Sequence, residues 1–188
     1  MRVLLFCCVL LMMALPVGAR EIAGVDVAET LQSDGGTTLY LNGAGIRSKF
    51  FFDIYIAQLY MEHPSNNTEG ILGAAGQKRV AMHFLYSEVE KEKLIDGWNE
   101  GFEGNCTADE LPVLKERITQ FNNMFVDVKK NDVILLDFNP ATGTRVVIAG
   151  EEKGSIEGKD FNDALLKIWL GKEPVTSGLK KDLLNYKK

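Results

Sequence analysis

The segment from Lys49 to Met61 (Lys-Phe-Phe-Phe-Asp-Ile-Tyr-Ile-Ala-Gln-Leu-Tyr-Met) constrains this chain more than any other. Its aromatic and β-branched residues suit a pleated, half-buried strand. Two similar runs lie nearby, Thr37 to Asn42 and Arg79 to Tyr86, and a short apolar start, Ile22 to Val27, reads as an edge strand. Asp34-Gly35-Gly36 reads as a turn, Gly43-Ala44-Gly45 as a break between strands, and polar His63 to Gly70 as a loop. Strands joined by such short connections cannot be parallel neighbours, because a parallel crossover needs a dozen or more residues. The first half of the chain is therefore expected to form an antiparallel sheet.

The hydrophobic period then changes. Ser87 and Glu90 have capping-box spacing, which predicts a helix starting near Glu88. Val89, Leu94, Ile95, Trp98 and Phe102 give it one apolar stripe. Thr107 and Glu110 repeat the capping box ahead of a second stripe, Leu111, Leu114, Ile118, Phe121 and Phe125. Asp132 to Phe138 and Thr144 to Ala149 return to strand character around the turn Pro140-Ala141-Thr142-Gly143. Gly150 to Gly154 reads as another turn, before a short last strand at Ser155-Ile156-Glu157. Phe161, Ala164, Leu165, Ile168 and Trp169 mark a helix that Gly171 is placed to end, and a short basic helix follows over Ser177 to Tyr186. The economical architecture is α+β: an open-faced β-sandwich, one large antiparallel sheet covered on one face by a layer of helices.

The chain opens with Met1-Arg2, an apolar run from Val3 to Val17, and small residues at Val17-Gly18-Ala19. Residues 1–19 are read as a secretory signal peptide cut after Ala19. The run is shorter than the roughly 20 residues of a membrane-spanning helix, and an uncleaved anchor is the alternative. Residues 20–188 are then expected to form one domain with no transmembrane segment. Cleavage removes Cys7 and Cys8 and leaves Cys106 alone, so no intrachain disulfide can form and core packing must stabilise the fold.

The net charge of −5 speaks against a protein built to grip nucleic-acid phosphates. No Walker, Rossmann, zinc or haem spacing is present, so neither cofactor nor metal is expected. His63 falls in a polar loop, and His83 alternates out of phase with Met82 and Phe84; both are read as structural or solvated. Cys106 stands beside a helix start, where a thiol pKa can fall, yet no His or second Cys accompanies it and it is read as a structural thiol. Asn66-Asn67-Thr68 and Asn105-Cys106-Thr107 fit the glycosylation pattern, which matters only in a eukaryotic secretory pathway. If the strand is regular after Arg47, then Arg47, Lys49, Phe51, Asp53 and Tyr55 share one face. A cation, a carboxylate and a phenol among aromatics suit a pocket for an anionic, partly apolar ligand. Composition alone favours a solvated Arg47–Asp53 or Lys49–Asp53 pair.

Several ordered segments together resemble the chalcone isomerase family, in particular its secreted bacterial chalcone-isomerase-like branch. They are Gly43-Ala44-Gly45-Ile46-Arg47, Ala57-Gln58-Leu59-Tyr60-Met61-Glu62, Tyr86-Ser87-Glu88, and Ala164-Leu165-Leu166 with Leu170-Gly171-Lys172 and Val175. The resemblance spans about residues 22–185 and implies the same open-faced sandwich. In the family's enzymes an arginine holds a phenolate and a developing enolate, and a tyrosine acting through water polarises a ketone. The resemblance places these two roles on Arg47 and Tyr86. The family's strand threonine falls on Tyr55, its asparagine on Lys93 and its late threonine on Ile168. Two of five positions match, so an anion hook remains while hydrogen bonds to a flavonoid are lost. Some plant relatives that keep the arginine and tyrosine bind fatty acids without catalysis. Together these observations imply non-catalytic binding of a small anionic or fatty-acid-like ligand by Arg47, Tyr55, Tyr86, Lys93 and Ile168. The alternatives are an isomerase (intramolecular lyase) acting on an enone through Arg47 and Tyr86, and a cell-envelope interaction protein with a vestigial cleft. For Lys93, in the charged run Glu88 to Lys93, a solvated helix face is the competing reading; for Ile168 it is core packing. The branch resembled implies a bacterial periplasmic location.

Overall fold

The computed structural model describes residues 19–187; the expected signal peptide, apart from Ala19, and Lys188 lie outside the described residues. A hairpin of β1 (Ala19–Ile22) and β2 (Val25–Ala28) comes first, then β3 (Thr30–Gln32), β4 (Thr38–Lys49) and β5 (Phe52–Met61). After α1 (Thr68–Gly73) come β6 (Lys78–Phe84) and a two-residue strand, β7 (Glu88–Val89). Two helices follow, α2 (Lys91–Asn105) and α3 (Glu110–Asn122), then β8 (Val128–Lys129), β9 (Val133–Asn139), β10 (Gly143–Ile148) and β11 (Glu151–Ile156). The chain ends in α4 (Lys159–Leu170) and α5 (Ser177–Leu183). Seven strands form one sheet in the order β11-β10-β9-β6-β5-β4-β3, with every pairing antiparallel. The expected α+β open-faced sandwich is the observed fold.

Alternation along the strands explains the two faces. Tyr55, Ala57, Leu59 and Met61 of β5, Val80, Met82 and Phe84 of β6, and Ile134 and Leu136 of β9 share a core with the helices. Edge-to-face ring contacts at 4.8 to 6.3 Å join Trp98 and Phe102 of α2, Phe121 of α3, and Phe125 beyond it. Such pairs add to the burial of their area. On the opposite face the β1–β2 hairpin covers a small cluster of Val27, Leu39, Leu41 and Tyr60. Further along, Arg79, Asp137 and Arg145 form a charged ladder on that face.

Five local readings are corrected. Gly43-Ala44-Gly45 does not break a strand: β4 runs through it, and the glycines serve close approach instead. A Cβ on Gly43 would overlap the Asp182 carbonyl, and one on Gly45 would stand 2.5 Å from the Asp182 carboxylate. These small residues let α5 lie directly on β4. A bulge at Asn42 adds to the anchor. Its fully buried amide donates to the Leu183 carbonyl at 2.7 Å and the Ser65 carbonyl at 3.0 Å, and accepts from the Ser65 N–H at 2.7 Å.

Conversely, Lys49 to Met61 is not one strand. Lys49 pairs with Phe52, and Phe50-Phe51 form the turn between β4 and β5. Phe51 therefore projects into solvent, and the exposed Asp53 accepts a bond from Ser48 at 2.6 Å rather than pairing with Arg47 or Lys49. The Ser87–Glu90 capping box does not form, and the first large helix starts at Lys91. Its N-terminal Lys91 N–H donates at 2.8 Å to Asp127, a residue distant in sequence, while Glu88 and Val89 pair with β8. Ile22 to Val27 is a hairpin rather than one edge strand, and the polar loop after His63 contains α1. The second capping box does form: Thr107 N–H donates to Glu110 at 2.8 Å, and Glu110 N–H donates to Thr107 at 3.2 Å.

Candidate functional site

A cavity of about 600 Å³ opens between the β4–β6 end of the sheet and α2, within the usual range of small-molecule sites. Arg47, Tyr55, Tyr86, Lys93 and Ile168, the five residues singled out from sequence, all line it. They come from β4, β5, the segment after β6, α2 and α4.

Arg47 and Tyr55 are directly opposed across β4 and β5, so they share a sheet face although they lie on different strands. The guanidinium carbon lies 5.6 Å from the Tyr55 ring centroid, a cation–π distance. The Arg47 Nε is buried without a hydrogen-bond partner, and among the described residues no carboxylate pairs with this arginine. Tyr55 is almost fully buried and accepts a hydrogen bond from the Trp169 indole N–H at 3.0 Å. Burial pushes its phenol pKa up, and this outweighs the opposite pull of the Arg47 charge and the Trp169 bond. The hydroxyl thus stays neutral at physiological pH, with its proton unclaimed by any acceptor among the described residues.

A second bulge, at Ile54, lies between the pairs Arg47–Tyr55 and Ser48–Asp53. It turns both Ile54 and Tyr55 toward the cavity, and the Ile54 carbonyl accepts the backbone N–H groups of Leu85 and Tyr86. Tyr86 is thereby held at the wall, its ring edge-on to Phe52 at 5.5 Å. Ile168 is buried and fits against Gly101 of α2, where a Cβ would come within 2.8 Å of it. It is both core and cavity floor. Lys93 is exposed in the first turn of α2, at the mouth. Met82, Phe84, Leu94 and Val175 make the interior apolar, and Glu88, Glu90, Asp96 and Glu100 bring carboxylates to the lining as well.

Sequence reasoning missed Trp98. In the sequence it is one residue of an apolar stripe, yet it lines the cavity and its indole N–H is buried without an acceptor. Only its phase relative to Gly97 and Leu94 on the same helix hinted at this. Cys106 lies elsewhere, at the C-terminal end of α2; burial first, then the Glu110 charge, raise its thiol pKa, as suits an inert thiol. His63 is exposed, and His83 faces away from the helices. Among the described residues no cluster of ligating side chains could hold a metal, and no helix is long and apolar enough to cross a membrane.

An antiparallel sheet, helices over one face, and a cavity between the layers with apolar walls and charged residues on its lining define an open-faced β-sandwich with an interlayer site. The chain belongs to the chalcone isomerase-like family, whose model matches residues 19–185. Among solved structures it is similar to a fatty-acid binding protein of Arabidopsis thaliana. Sequence identity is 15%, with 83% of this chain and 96% of that chain covered and a TM-score of 0.60. At that identity the likeness concerns the fold. No curated protein matches the sequence.

Proposed function

We propose that this protein binds a small anionic, fatty-acid-like ligand in the interlayer cavity without transforming it. One observation carries the reading: a half-buried arginine, its Nε without a partner, in a cavity that combines apolar walls with charged residues on its lining. A half-buried guanidinium with no carboxylate partner among the described residues is partly desolvated without compensation, at a cost. A ligand carboxylate offsets that cost through charge-assisted hydrogen bonds to the guanidinium. The neutral Tyr55 hydroxyl supplies a further donor, and the indole N–H of Trp98 is another unpaired donor in the same wall. An aliphatic tail would lie along Ile54, Met82, Phe84, Leu94, Ile168 and Val175. The similarity in fold to the Arabidopsis fatty-acid binding protein supports the same class of ligand.

The test is oleate titration of the mature protein and of Arg47→Ala, followed by tryptophan fluorescence, with circular dichroism as the folding control. The variant is expected to fold and to lose affinity at least roughly tenfold, as for removal of a charged hydrogen bond. Equal affinity would overturn the site. The rival reading, an isomerase, draws on the presence of both Arg47 and Tyr86 at the cavity. Turnover of a chalcone panel that is lost in Arg47→Ala and Tyr86→Phe would establish it and displace the binding reading. We further propose export to a bacterial periplasm directed by residues 1–19. N-terminal sequencing of the protein from the periplasmic fraction is expected to begin at Arg20, and a cytoplasmic protein retaining Met1 would overturn this.

A further inference from the structure

The β4–β5 hairpin ends in three consecutive phenylalanines. Phe50 and Phe51 form its two-residue turn between the paired Lys49 and Phe52. They are 86% and 99% exposed, and Phe52 is 55% exposed. Phe50 has φ 56°, in the left-handed region where hairpin turns favour Gly, Asn or Asp. The other non-glycine residues with positive φ among those described are Ala23, Asn131 and Ala149, all small or amide-bearing. The turn thus combines backbone strain with solvated aromatic surface, and no contact within the fold compensates Phe50 or Phe51 for either. An outlier of this kind points to a use outside the fold.

The tip also has a position. Lys49, immediately before it, lines the cavity, and Phe52, immediately after it, packs edge-on at 5.5 Å against the cavity residue Tyr86. The aromatic tip and the chamber wall are one continuous surface.

We propose that Phe50, Phe51 and Phe52 insert into the interfacial layer of a lipid bilayer, bringing the cavity mouth to the membrane so that an apolar ligand exchanges directly between the two. The exchange step rests on the reading of the cavity as a lipid-ligand site; the insertion does not. A second copy of this chain is a poorer occupant. Three phenylalanine side chains of about 150–250 Å² each fall short of the ~800 Å² per partner that a stable protein interface buries. A two-residue turn is convex, so it offers a partner protein no groove, whereas a bilayer interface accepts a protruding aromatic without shape complementarity. Asp53, Glu88 and Glu90 nearby offset the Lys49 charge. Insertion therefore depends on the rings, and a zwitterionic surface suffices.

The experiment compares wild type with a double variant, Phe50→Gly with Phe51→Ser. Glycine suits the left-handed turn position, so the variant is expected to melt no lower than wild type. Co-sedimentation with phosphatidylcholine vesicles is expected to fall about tenfold or more, following the loss of two buried rings. Val113→Ser, which removes a 68% exposed apolar residue on α3, is expected to leave it unchanged. Oleate affinity in solution should match wild type in the double variant, while oleate transfer from vesicles should slow and lose its dependence on vesicle concentration. A wild type that does not sediment, or a double variant that sediments equally, overturns the proposal. Ring-dependent sedimentation with no oleate bound by either protein supports the inserting tip and overturns the ligand reading alone.

Discussion

The indole N–H of Trp169 on α4 donates to the Tyr55 hydroxyl on β5 across 3.0 Å, joining the helix layer to the sheet in the wall of the cavity. Tyr55 is at once an acceptor for the fold and a free donor for a ligand. Tyr55→Phe keeps the ring under Arg47 but orphans the Trp169 N–H. Stability in urea is expected to drop by about 1–3 kcal/mol, the cost of a buried unsatisfied donor, and oleate affinity to weaken with it. Unchanged stability would show that this bond contributes nothing net.

Trp98 should behave in the opposite way. Its indole N–H is already without a partner in the ligand-free fold. Trp98→Phe preserves most of the aromatic packing with Phe121, Phe125 and Trp169 while removing the orphan. Stability is expected to change by less than about 1 kcal/mol, whereas oleate affinity falls severalfold. Equal affinity in calorimetry would remove Trp98 from the site.

The two close-approach glycines should differ in cost. A side chain on Gly43 would meet the backbone of Asp182 and Leu183, which cannot yield without lifting α5. Gly43→Ala is expected to cost about 3 kcal/mol or more and to expose the C-terminal helix to proteases. On Gly45 the obstacle is the Asp182 side chain, which can swing aside, so Gly45→Ala is expected to cost only about 1 kcal/mol. Urea unfolding with limited proteolysis checks the order, and equal costs would refute it.

Lys78 gives stability a pH dependence above neutrality. Its side chain lies inside the fold, its Nζ donating to the Ala74 carbonyl at 2.7 Å and standing 5.0 Å from the Phe138 ring. Burial lowers its pKa to about 8, partly countered by Asp163. Above pH 8 the folded chain releases this proton before the unfolded chain does, so stability rises with pH toward the ordinary lysine value of 10.5. Discounted for partial solvation of the amine, the gain is about 1–2 kcal/mol. Above pH 10 the trend reverses, because Tyr60, pushed up to about 12 chiefly by burial, keeps its proton in the folded state only. Urea melts from pH 7 to 10 should show the rise in wild type and not in Lys78→Met.

Much of the candidate cavity's lining was legible because its residues sit in ordered segments whose resemblance is local in sequence. Arg47 and Tyr86 could be named that way, as could the positions of Tyr55, Lys93 and Ile168, and all five line the cavity. Trp98 was not legible as a cavity residue, since a helical stripe shows which side is apolar but not which rings meet a void. Asn42 reads as the last residue of a strand run, and only the bulge turns its amide toward Leu183.

By itself the sequence determined the antiparallel pairing of strands joined by short connections, such as β4–β5 and β9–β10, and the helical layer, because the apolar period changes after Tyr86. It also determined that no disulfide could staple the mature chain if residues 1–19 are removed. The tertiary structure decided matters that depend on distant partners. Gly43 and Gly45 continue a strand because α5, more than a hundred residues away, fills the space that their missing side chains leave. The first large helix starts at Lys91 because Asp127 caps it and β8 takes up Glu88 and Val89, displacing a local capping box of comparable energy. Local propensity chooses between conformations separated by about 1 kcal/mol, and packing between segments remote in the chain outweighs it at those positions.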